Sequence, residues 1–181
     1  MKDLILKLRN KITLDKGNEI IQENGIKIRD CVIKVRGKGN KIIFKKNSNL
    51  NKVNIEIRGN NCTLEIGEET VIGKNTYFSV KGEAKSIVVG KDCMFSRNNK
   101  IMTDDGHDIF MDGKKINESK SIKICDEVWL ADSSTILKGV QISKGSVVGL
   151  GSLVTKSCFE ERVILVGNPA KIIKRGIIWK K

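Results

Sequence analysis

Proline is almost missing from this chain. Among 181 residues there is one, Pro169, and the 17 glycines form no Gly/Ser tether, so nothing divides the chain into linked domains and a single domain is expected. Long apolar runs are missing too. No stretch approaches the ~20 apolar residues needed to cross a bilayer, and the opening MKDLILKLRN has too short an apolar core for a secretory signal, so we expect a cytosolic protein without a transmembrane segment. Aromatics are few: two Trp, one Tyr and five Phe, none interleaved with a basic run as a base-stacking platform requires, which argues against nucleic acid as a partner. The single histidine rules out a His₃ zinc site. Mixed carboxylate ligation stays open, but a metal-dependent hydrolase is a weak alternative and no metal is expected. The five cysteines include no CxxC pair, which argues against a zinc ribbon or a compact disulfide framework. Cys93 and Cys158 read as buried, reduced packing residues. Acidic residues are scarce at both ends. Residues 1–60 hold 15 Lys/Arg against 6 Asp/Glu, residues 61–170 hold 14 against 15, and residues 171–181 hold 5 against none, within a net charge of +13. This excess reads either as a solubilising lysine coat or as a field that attracts a polyanion.

What is present is a six-residue beat. Ile124, Leu130, Ile136, Ile142, Val148 and Val154 are aliphatic and evenly spaced, and four residues after each stands a small or branched residue: Val128, Ser134, Val140, Ser146, Ser152 and Cys158. A helix needs recurrence near three and a half residues and a flat strand recurrence at two. A period of six therefore points to short strands separated by turns, three of which make one coil of a parallel β-helix. Upstream, Ile66-Gly67, Ile72-Gly73 and Val89-Gly90 restate the beat with Thr70, Thr76 and Cys93 in the small slot. Ile20, Ile26 and Val32 keep a spacing of six, Val53, Ile55 and Ile57 alternate, and turns are expected at 37–40 and 59–61. Leu4, Leu8 and Ile12 have helical spacing and suggest a short capping helix that covers an open sheet edge. The chain thus divides into degenerate N-terminal coils and a cap (1–60), regular coils (61–101), an irregular loop (102–121), C-terminal coils (122–160) and a tail (161–181).

The loop, polar and acid-rich, holds the only histidine, His107, beside Asp104, Asp105, Gly106 and Asp108. Loops that leave one corner of a solenoid concentrate binding and catalysis. A histidine there is a natural general base near neutral pH, and a nearby carboxylate would orient its ring or raise its basicity.

These residues carry a resemblance. DGHDI at 105–109, IKICDEVWLADSSTILKGVQISKGSVVGLGSLVTK at 122–156 and GNPAKIIK at 167–174 are similar to the hexapeptide-repeat acetyltransferases, most of all to bacterial enzymes that O-acetylate capsular or lipopolysaccharide sugars. The resemblance spans about 93–179. It implies an all-β, left-handed parallel β-helix in the bacterial cytoplasm, assembled as a homotrimer with active sites between subunits and acetyl-CoA as co-substrate. His107 falls on the family's general base, which takes the acceptor's proton in a ternary complex without an acetyl-enzyme, with Asp105 as its neighbouring carboxylate. Trp129 falls on a tryptophan lining the acceptor and thioester site, and packing between subunits is an equal alternative for it. For the co-substrate, Ala131 and Asp132 fall beside the pantetheine arm, and Leu150, Thr155 and Lys156 on pantetheine and adenine-side positions. Lys171 and Lys174 fall on basic positions that meet the phosphates, or serve solubility alone. The acceptor is a surface sugar or polysaccharide, an acidic one if the basic ends take part. N-acetylation of a nucleotide-linked amino sugar and a non-enzymatic trimeric scaffold are the alternatives.

Overall fold

A pattern that recurs once per coil builds a stack, and the chain forms a left-handed parallel β-helix of about seven coils. The computed structural model describes residues 9–181. Each coil contributes a strand to each of three faces, except the last, whose second face is reduced to a single bridge between Cys158 and Ile142. The first face stacks Lys11–Leu14, Val32–Arg36, Asn54–Asn60, Tyr77–Glu83, Lys100–Met102, Thr135–Ile136 and Leu153–Val154. The second stacks Glu19–Gln22, Lys41–Phe44, Thr63–Ile66, Ser86–Val89, Ile122–Ile124 and Gln141–Ile142. The third stacks Lys27–Arg29, Asn49–Asn51, Val71–Ile72, Met94–Phe95, Trp129–Leu130, Val147–Val148 and Ile164–Gly167, and Ala170–Lys174 closes it antiparallel.

The six aliphatic residues of the beat point inward and are at most 1% exposed. Their companions Val128, Ser134, Val140, Ser146, Ser152 and Cys158 are buried as well, at the corners and inner edges where only compact side chains fit. Fully burying an aliphatic side chain stabilises by about 1.5–3 kcal/mol, and here every coil repeats the gain.

In the N-terminal half the spacing of six has a different origin. Ile20 and Ile26 pack against the core, whereas Val32 faces outward and its neighbour Ile33 is the buried residue. On the first face Lys11 pairs with Val32, Val32 with Asn54, Asn54 with Tyr77 and Tyr77 with Lys100, and each of these steps along the chain is longer than the step from Thr135 to its partner Leu153. The extra residues lengthen strands of the first two faces, so side chains alternate in and out as in ordinary sheets. The turns at 37–40 and 59–61 are the corner between the first and second faces of successive coils. There Gly37, Gly59 and Gly82 form a column with φ of 103°, 152° and 110°. A Cβ on Gly59 would stand 1.8 Å from the Gly82 carbonyl oxygen, so only glycine lets these coils close. Beside the column Asn40 is fully buried and satisfied. Its Nδ2 donates to the Gly59 carbonyl at 2.8 Å, and its Oδ1 accepts the Cys62 amide at 2.9 Å.

All five cysteines are free, and Cys31, Cys62, Cys93 and Cys158 are buried. Of the expected cap, Leu4 and Leu8 lie outside the described residues, and Ile12 belongs to the first strand. Among the described residues no helix is long and apolar enough to cross a membrane.

Candidate active site

The loop leaves the stack at the corner between the first and second faces. Pairing resumes across it, Ile101 with Ile136 and Ile87 with Ile122, so the insertion costs the solenoid no register. Its root is pinned: the Lys120 amide donates to the Thr103 carbonyl at 2.9 Å, Thr103 Oγ1 accepts the Lys81 amide at 2.9 Å, and Lys81 Nζ pairs with Asp104 at 3.4 Å. Further out, Phe110–Met111 and Lys114–Lys115 form a short antiparallel hairpin. Ile109, Phe110, Met111 and Ile116 are all more than half exposed.

His107 is exposed in this loop, and its neighbours are committed elsewhere. Asp105 Oδ2 accepts from Lys138 Nζ and, at 3.0 Å, from Asn117 Nδ2. The hydrogen bond from the Lys138 ammonium holds the Asp105 carboxyl below its ordinary range. Asp108 pairs with Lys115 at 2.8 Å, which raises the pKa of that lysine. Among the described residues no carboxylate stands within ion-pair distance of the His107 ring.

Trp129 lies on the third face. Its Nε1 donates to Ser96 Oγ at 3.1 Å, and its ring meets Trp179 with centroids 6.0 Å apart and planes tilted by 41°. Trp179 arrives on the chain's last residues, which run back across earlier coils as a strap. The Ile177 amide donates to the Arg162 carbonyl (2.9 Å), Trp179 Nε1 to the Glu127 carbonyl (2.7 Å) and Lys181 Nζ to the Glu69 carbonyl (2.7 Å). Sequence reasoning missed Trp179 because the tail carries no repeat. Its only signal was an aromatic among basic residues.

Ala131, Asp132 and Leu150 gather at the corner between the third and first faces. The Ala131 amide donates to the Val148 carbonyl, the Gly151 amide to the Asp132 carbonyl, and Leu150 is 74% exposed. The Asp132 carboxylate accepts the Arg97 amide at 3.0 Å and its guanidinium at 3.0 and 2.7 Å, and these bonds, the amide's first, lower its pKa. Arg97 thus offsets the negative charge at this corner. Thr155 and Lys156, exposed, follow the last strand of the first face, at the corner from which the loop departs two coils earlier. Lys171 and Lys174 lie exposed on the strand that closes the third face, opposite Val166 and Ile164.

The candidates therefore fall into two groups. Asp105, His107, Thr155 and Lys156 belong to one corner, and Trp129, Ala131, Asp132 and Leu150 to the third face and its edge. In a three-sided coil the third face lies across from the corner where the first two meet. One chain alone does not bring His107 and Trp129 together.

No family model matches the chain. It is 33% identical over 166 residues to the polysialic acid O-acetyltransferase of Neisseria meningitidis, covering 80% of this chain and 77% of that protein. It is 36% identical over 118 residues to the polysialic acid O-acetyltransferase of Escherichia coli O1:K1 / APEC, covering 64% of this chain but only 38% of the length of that relative. Among solved structures, the polySia specific acetyltransferase NeuO superposes with a TM-score of 0.77 at 28% identity, covering 95% of this chain and 88% of that one. A hexapeptide-repeat acetyltransferase of Vibrio cholerae O1 biovar eltor, complexed with acetyl coenzyme A, shares the fold at a TM-score of 0.57 and 20% identity, over 76% and 70% of the two chains.

Proposed function

The chain belongs to the hexapeptide-repeat acetyltransferases, the family of its relative from Neisseria meningitidis, and from that premise we propose that it moves an acetyl group from acetyl-CoA to a hydroxyl of a bacterial surface polysaccharide or its precursor. The observation that carries the proposal is the 33% identity extending over 77% of a polysialic acid O-acetyltransferase. In the proposed step, His107 takes the proton of an acceptor hydroxyl as that oxygen attacks the thioester carbonyl. A C–O bond forms, the C–S bond breaks, and the sulfur leaves as CoA thiolate that takes up a proton. A positioned base contributes about 10² to 10⁴ in rate, and holding both substrates together supplies much of the rest.

Because His107 and Trp129 lie on different sides of one chain, the site is completed between copies, the loop corner of one subunit facing the third face of another in a homotrimer. The apolar side chains exposed on the loop favour such a contact. Acetyl-CoA is the proposed acyl donor. Its amide-bearing arm suits the exposed backbone around Ala131, Leu150 and Thr155, and its phosphates suit Lys156, Lys171 and Lys174. An acidic glycan suits the basic N-terminal coils and the substrate named for the relatives.

Thermal-shift titration with acetyl-CoA, followed by an acetyl-transfer assay on polysialic acid and on neutral glycans, tests the reading. Saturable stabilisation and transfer that His107→Ala lowers by about 10² or more are the expected results. No binding of acetyl-CoA, or full activity in His107→Ala, would refute it.

A further inference from the structure

We infer that Asn117 and Lys138 are positioning residues for His107, forming with Asp105 a clamp that fixes the backbone around the histidine. The inference rests on the acetyl-transfer reading given above. A single side chain, Asn117, reaches three points of the loop: Nδ2 donates to the His107 carbonyl at 2.8 Å and to Asp105 Oδ2 at 3.0 Å, and Oδ1 accepts the Ile109 amide at 2.7 Å. The histidine's carbonyl and the amide two residues on are thus gripped from one side. Lys138 anchors this grip to the solenoid. It sits between the strands Thr135–Ile136 and Gln141–Ile142, which are paired on both sides by neighbouring coils or by Cys158, and its ammonium holds the Asp105 oxygen that Asn117 also holds. Bonds therefore run without a break from a rigid coil through Asp105 and Asn117 to His107.

The imidazole receives no carboxylate of its own, since Asp105 and Asp108 are taken by Lys138 and Lys115. Its placement comes through the backbone, and backbone placement is what the clamp supplies. Asp105 is then a positioning residue as well, acting on the loop and not on the ring. A reacting group displaced by about 1 Å loses on the order of 100-fold in rate, so releasing the clamp impairs chemistry without removing a substrate contact.

The test uses the full chain with Asn117→Ala, Lys138→Met and Lys138→Arg. Asn117→Ala and Lys138→Met are expected to lower kcat on the order of 10- to 100-fold while KM for acetyl-CoA stays within about two-fold, and Lys138→Arg to retain most of the activity. Asp105→Asn is expected to lower kcat while leaving the pKa of the pH profile of kcat/KM in place. A lowered base pKa in that variant would mean that the carboxylate acts on the ring, and would overturn the clamp. Because His107 is the only histidine, its ring gives a single signal in histidine-labelled NMR, a readout that needs no turnover. Asn117→Ala should broaden or split that signal and speed hydrogen exchange at the Ile109 amide, with an unchanged melting temperature because the loop lies outside the core. Wild-type kcat in Asn117→Ala, or unaltered Ile109 exchange, would sink the inference. A wild-type protein without turnover, whose histidine signal still changes in Asn117→Ala, would refute acetyl transfer and support the clamp.

Discussion

At the scale of single residues, burial decides what the cysteines do. Desolvation disfavours a thiolate, and with Cys93 fully enclosed at the second-to-third-face corner its pKa is pushed up to about 12; Cys31, Cys62 and the half-buried Cys125 are raised for the same reason. Such thiols are poor nucleophiles. We expect a thiol reagent at neutral pH to modify Cys125 far faster than Cys93, which reacts only on unfolding, as mass spectrometry of the labelled protein would read. The sign of the pH effect follows from the direction of the shift. A group whose folded pKa is raised contributes stability that is fully present below its unfolded value, 9.0 here, and is lost as pH rises toward the folded one. Melting temperature should therefore hold from neutral pH to about 9 and fall above it, less steeply in Cys93→Ala. A native protein whose Cys93 is labelled at the rate of Cys125 would contradict this picture.

At the scale of elements, the column Gly37, Gly59 and Gly82 shows how closely successive corners approach. Gly59→Ala combines left-handed backbone strain with a side chain driven into the carbonyl of the next coil, so we expect it to destabilise by roughly 2–4 kcal/mol in chemical denaturation. Gly17 has open space around its Cα, and an alanine there meets only the strain of its φ of 86°. The column also explains what was legible in the sequence. In the short C-terminal coils, three strands of equal weight leave a beat of six, and every residue of that beat is buried. In the longer N-terminal coils the strands are unequal, so the recurrence is once per coil, visible only as repeated corner residues such as Gly37 and Gly59 or Asn18 and Asn40. The loop was legible because it interrupts the beat. Its anchors were not: Lys138 lies 33 residues from Asp105, and Arg97 lies 35 from Asp132. Those separations are one coil plus the loop and match neither period, and Trp179 has no period to match.

At the scale of the whole molecule, the net charge of +13 resides on the basic N-terminal coils and the last eleven residues. Fields from exposed charges are screened over about 10 Å at 0.1 M salt and about 3 Å at 1 M. If an acidic glycan is drawn in by this field, its KM should rise steeply between those salt concentrations while that of a neutral acceptor changes little; steady-state kinetics with both acceptors checks it, and equal responses would assign the lysines to solubility. The strap formed by the chain's end bears on another whole-molecule property. In a stack where each coil touches only its neighbours, melting starts at an open end and travels inward one coil at a time. Lys181 binds the Glu69 carbonyl, 112 residues earlier in the chain, and Trp179 binds the Glu127 carbonyl on the way. The strap crosses several coils, so the last coil cannot fray without releasing contacts on coils well below it. The C-terminal half is thereby coupled into one cooperative unit, as a tied bundle comes apart all at once where a loose pile sheds its top layer.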